Sequence, residues 1–85
     1  MSMVMELIAA VTNAERQLDV QISKLQTYQA EIDNAQKRVD AAFSGSTVTY
    51  GQNMIEQLLK TKKQVNYTIG MLQKSKEKLM QVRMI

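Results

Sequence analysis

The chain is 85 residues long, one small domain at most, and it contains no Cys, His, Trp or Pro. Disulfide scaffolds, thiolate zinc sites, Cys nucleophiles and His-based acid–base catalysis therefore lack their residues. With one Phe and three Tyr any core must be aliphatic, and a net charge of +3 is too mild by itself to announce a nucleic-acid binder.

The absence of Pro, only three Gly, and much Ala, Gln, Lys, Leu and Met predict long helices and an all-α fold. The opening stretch, Met1 to Val11, is apolar, but it lacks a basic leading region and is interrupted by Glu6. Neither a signal peptide nor a membrane span is expected there. From Val4 onward one period dominates. Val4, Val11, Leu18, Leu25, Ile32 and Val39 recur every seven residues. Leu7, Ala14, Tyr28, Ala35 and Ala42 fill the position three residues later, with Gln21 the one polar interruption, and Ile8, Ile22 and Phe43 widen the stripe. Such a seam predicts a helix over about 2–43, roughly 60 Å long at about 1.5 Å per residue.

Residues 44–49 read as a turn. Gly45 suits the left-handed conformation that closes a helix, Ser46 suits an N-cap, and Thr49 with Gln52 suits a capping box. A second helix follows over about 50–84, with Leu58, Val65, Leu72 and Leu79 at the seven-residue spacing and Ile55, Ile69 and Val82 beside them. Lys62 and Lys76 fall on or beside this stripe, where long stems lie along apolar surface while the ammonium reaches water. The halves are oppositely charged: residues 1–42 hold four basic and six acidic groups, and residues 46–85 hold seven and two. A short turn and opposite charges predict an antiparallel hairpin, a single domain over 1–85. One narrow stripe per helix barely offsets the ordering entropy of the chain, so two hairpins are expected to pair as a four-helix bundle. The rows from Val4 to Val39 and from Leu58 to Leu79 are the predicted interface.

Little in the sequence carries chemistry. Glu31 with Asp33 and Glu15 with Asp19 are the closest carboxylates, read as solvated helix surface, and no glycine-rich phosphate loop accompanies Gly45 or Gly51. No catalytic residue, metal or cofactor is expected. Lys60, Lys63, Lys74 and Lys78 cluster on one side of the second helix, roughly opposite its seam, together with Tyr67 and Met71. Such a strip serves an anionic partner or simply keeps a small bundle in solution; with no Arg and one aromatic, reading of bases is not expected. Of the seven Met, Met1, Met3, Met5, Met80 and Met84 gather at the open end, as a cover for the last core layer or an adaptable contact patch.

A helix of about forty residues, then Phe43-Ser44-Gly45-Ser46, then a second amphipathic helix resembles the WXG superfamily, the small helical hairpins handled by type VII secretion in Gram-positive bacteria. Phe43 stands at the Trp position and Gly45 at the Gly position of the Trp-x-Gly turn. The likeness in architecture covers nearly the whole chain, whereas the motif is two residues, and an apolar residue followed by a capping Gly is also a common helix ending. The family's export signal, an aromatic with an acid four residues later, is missing: Tyr67 is followed at that spacing by Met71. The resemblance implies a non-enzymatic hairpin, cytoplasmic on synthesis and exported without a signal peptide. It would be a homodimer or a heterodimer with another helical hairpin, such as the N-terminal domain of an LXG-type toxin. The heptads support equally a self-assembling coiled-coil structural or adaptor protein of a phage or another secretion apparatus. Nucleic acid or membrane binding through the four Lys is the least expected role.

Overall fold

The computed structural model describes residues 2–44 and 49–84, which form two helices packed side by side, α1 (Met3–Ala42) and α2 (Thr49–Arg83). α1 starts at Ser2, whose backbone is extended and whose hydroxyl accepts the Met5 N–H at 3.2 Å, satisfying one of the unpaired donors of the first turn. Glu6 adds a negative charge at the positive end of the helix dipole. At the other end Phe43 leaves helical geometry with φ −105° and ψ 12°, its N–H still donating to the Val39 carbonyl at 3.0 Å. Gly45, expected to close this helix, lies outside the described residues, as does Ser46.

Three ion pairs define the pairing. Lys62 reaches Asp33 at 2.6 Å, Lys76 reaches Asp19 at 2.6 Å, and Arg83 reaches Glu15 at 2.9 Å. The partner's number in α1 falls as the number in α2 rises, so the helices run antiparallel. The hairpin measures 67 × 15 × 13 Å, the section of two helices laid together.

The seam uses the expected main row and, as its second row, the flank to which Ile22, Phe43, Ile55 and Ile69 belong. Val11, Leu18, Leu25, Ile32 and Val39 face α2, all buried or half-buried. Their companions are the residues four further on, Glu15, Ile22, Gln29, Gln36 and Phe43, in place of the row three further on. α2 mirrors this arrangement, with Gly51, Leu58, Val65, Leu72 and Leu79 in one row and Ile55, Lys62, Ile69, Lys76 and Arg83 in the other. This rotation places Ile22 and Ile69 of the second rows in the core, and it also brings Glu15, Asp19 and Asp33 to the cations of α2, with Gln29 donating to Asn66 alongside. Glu15, Asp19 and Asp33 are thus interhelical partners; Asp19 and Asp33 stay about half exposed, and the reading as solvated surface is corrected for Glu15, whose side chain is 12% exposed.

The core is thin. Ile22, Ile32, Val65 and Ile69 form its centre, with Leu25, Leu58 and Leu72 packed against them; Ile32 is the most buried of these and still 5% exposed. Near the turn the ring of Phe43 lies on Gly51. A Cβ at Gly51 would stand 2.7 Å from the Phe43 Cγ and 2.9 Å from its Cβ, so the close approach requires glycine.

Candidate helix-docking face

Rotation of the seam makes the two long sides of the hairpin unlike. On one side Asp19, Asp33 and Asp40 of α1 lie across from Asn66, Gln73 and Met80 of α2, and two of the three ion pairs bridge it. On the other side lie the rows displaced from the seam: Leu7, Ala14, Gln21, Tyr28, Ala35 and Ala42 on α1, and Met54, Thr61, Thr68, Ser75 and Val82 on α2. These eleven positions share one side because both helices place them three residues after their seam row, and an antiparallel pair turns those rows the same way. A groove of about 410 Å³ between Ala35 and Val39 of α1 and Met54, Leu58 and Thr61 of α2 joins them near the turn. A second groove, of about 480 Å³, runs past Ala14, Leu18, Val20 and Gln21 to Leu79 at the far end, with Arg16 on its outer edge the one charged residue lining it.

Neither row holds a charged side chain. Its hydroxyls on α2 are also self-satisfied: Thr61, Thr68 and Ser75 donate to the carbonyls of Gln57, Gln64 and Met71, four residues back, at 2.9, 2.9 and 3.0 Å. What they present outward is methyl and methylene surface of small volume, with no donor left over. Small residues let a neighbouring helix approach closely, and exposed Leu7, Tyr28, Met54 and Val82 supply apolar area.

The expected interface residues fall chiefly inside the hairpin. Val11, Ile32 and Val65 are buried between the helices, and Leu18, Leu25, Val39, Leu58, Leu72 and Leu79 are half-buried there. Val4 is different: it is 64% exposed, in a stretch of α1 that runs past the last described turn of α2 together with Met3, Met5, Leu7 and Ile8. Met3, Met5 and Met84 are exposed as well, so they do not cover a core layer. Phe43 is half-buried against Gly51, to which the sequence pattern assigns no packing role. Lys60, Lys63, Lys74 and Lys78 are all exposed on the outward side of α2. The row Met54, Thr61, Thr68, Ser75, Val82 was also missed, although its seven-residue spacing stands in the sequence; Thr and Ser did not register as helix-contact residues.

Among the described residues no three acidic side chains gather as a metal ion requires, and no helix is long and apolar enough to cross a membrane. Comparison with known proteins gives no match to a family model, to a curated protein or to a solved structure.

Proposed function

We propose that this chain is a non-enzymatic helix-pairing protein that docks a second helical hairpin along its uncharged side and closes a four-helix bundle with it. One observation carries the reading: both helices turn a row without charge to the same side, over nearly the full length of the hairpin, and Thr61, Thr68 and Ser75 of the α2 row donate their hydroxyls within their own helix. The thin core supports it, since a two-helix seam with no fully buried side chain gains much from a second layer. The likeness to WXG hairpins supplies a setting, that of a targeting factor or co-secreted subunit of type VII secretion binding the helical domain of a toxin. A self-assembling coiled-coil role is favoured by a different observation, the exposed apolar side chains of Met3, Val4, Met5, Leu7 and Ile8 of α1, which suit association with further copies.

Light-scattering mass on size exclusion, for the chain alone and after co-expression with the product of the adjacent gene, tests the proposal. A single defined complex of two hairpins is expected, and Ala35→Glu, which sets a carboxylate in the uncharged side, should dissociate it while leaving helical content unchanged. A monomer under both conditions would refute the pairing role, and concentration-dependent filaments would favour the self-assembling one.

A further inference from the structure

A second surface lies on the outward side of α2, away from both the seam and the uncharged side. Lys60, Lys63, Tyr67, Gly70, Lys74 and Lys78 fall on one stripe at helical spacing, with Met71 beside Tyr67. Three facts set this stripe apart. Tyr67 is 71% exposed, more than any other large apolar or aromatic side chain described in α2 before its last turn. None of the four Lys has an ion-pair partner among the described residues, whereas Lys62, Lys76 and Arg83 of the same helix all do. Gly70 sits in mid-helix, where glycine costs roughly 1 kcal/mol against alanine, yet a Cβ there would meet nothing within 4 Å. Gly51 is explained by the Phe43 ring; nothing inside the hairpin explains Gly70.

We propose that this stripe binds an acidic amphipathic helix, crossing α2 at Gly70. The missing side chain opens a shallow notch between Tyr67 and Lys74, three residues before and four after it, that receives one apolar side chain of the partner. Lys60 and Lys63 on one side, and Lys74 and Lys78 on the other, meet carboxylates about 20 Å apart along the axis, at about 1.5 Å per residue. Glu56 stands one turn before Lys60 and Glu77 lies beside Lys78, so the stripe is cationic on balance and fixes where the partner's acids must fall. A second copy is a poor occupant: antiparallel α2 helices crossing at Gly70 would lay two stripes of net positive charge together, offset only where Lys63 faces Glu77, and the acids of α1 with no ion pair among the described residues, Glu6, Glu31 and Asp40, do not share a stripe at this spacing. Nucleic acid has less to recommend it, because the stripe has no Arg and its centre is apolar.

The probe is a synthetic Ala/Gln-based helical peptide with Glu pairs about 14 residues apart and a Leu between them, followed by fluorescence anisotropy against the full chain. Saturable binding that weakens with added salt is expected, and a control peptide with Gln for Glu should not bind. Gly70→Leu should weaken binding about tenfold while the thermal midpoint stays level or rises, because Leu is a better helix former and meets open space; loss of binding then cannot be loss of fold. Lys60→Gln with Lys63→Gln should weaken it similarly and flatten the salt dependence. Absence of peptide binding, wild-type affinity in Gly70→Leu, or equal affinity for duplex DNA or phosphatidylglycerol vesicles would overturn the proposal. Ala35→Glu should bind the peptide normally, which separates this surface from the pairing role.

Discussion

The two long sides of the hairpin start from the same heptad repeat and end with opposite characters. One is crossed by Lys62–Asp33 and Lys76–Asp19, and it holds the helices in register. The other lost its place in the seam to that register and was left with Ala14, Ala35, Thr61, Thr68 and Ser75 facing outward. Apolar periodicity says that a helix has a buried side, and the charges beside it help to decide which flank of that side the neighbour covers. In a two-helix protein the uncovered flank is surface by default, and its composition then shows what it is for.

Both sides depend on the seam, so the largest effects belong there. Ile32→Ala, in the centre of the core, should cost about 2–4 kcal/mol, read from urea unfolding at fixed protein concentration so that association does not shift the midpoint. A loss below about 1 kcal/mol would mean that the helices hold together mainly through their flanks, and the contrast drawn between the sides would fail.

The two described glycines of α2 sharpen the comparison through opposite signs. Gly51→Ala should destabilise by about 1–2 kcal/mol, although Ala is the better helix former, because its Cβ collides with Phe43. Gly70→Ala should stabilise by up to about 1 kcal/mol, since nothing stands in its way. Phe43→Ala should cost about 1–2 kcal/mol for a half-buried ring, and in that background Gly51→Ala should lose its penalty. Thermal unfolding of the four variants would decide the matter. The same sign for both glycines would dismiss the Phe43–Gly51 contact as the latch of the turn end.

The hairpin itself was legible in the sequence because seven-residue spacing, a lone glycine-bearing break and opposite charges in the two halves all agree. The rotation of the seam was harder to read. Leu7, Ala14, Gln21, Tyr28, Ala35 and Ala42 hold one strongly polar residue, whereas Ile8, Glu15, Ile22, Gln29, Gln36 and Phe43 hold three, so hydropathy leans to the first set. Weighing Lys62, Lys76 and Arg83 against acids on the facing helix favours the second set, which requires both helices to be considered together. Val4 shows the same limit from another angle. It keeps the period of its row but is 64% exposed, beyond the last described turn of α2, and periodicity carries no information about which residues of a row a neighbour covers. The outward Lys were placed correctly by the wheel, but the open space at Gly70 could be seen only in three dimensions.

The smallest effect tests the electrostatic contribution directly. The Lys62–Asp33 and Lys76–Asp19 side chains are each a third to a half exposed, so either pair should contribute only about 0.2–1 kcal/mol, and less at high salt. Their importance lies in selecting a register, and a pair can do that while adding little to stability. A double-mutant cycle on Lys62 and Asp33 should therefore give a modest coupling energy. Exchanging the charges at both pairs (Lys62→Asp with Asp33→Lys, Lys76→Asp with Asp19→Lys) should leave the hairpin and its association intact. Reversing Asp19 and Asp33 alone to Lys sets like charges along that side, and α1 should then turn towards its Leu7–Ala42 row. Cross-linking of paired cysteines introduced at 28 and 68 would report the turn, and unchanged yields in that variant would show that shape, and not charge, sets which flank α2 covers.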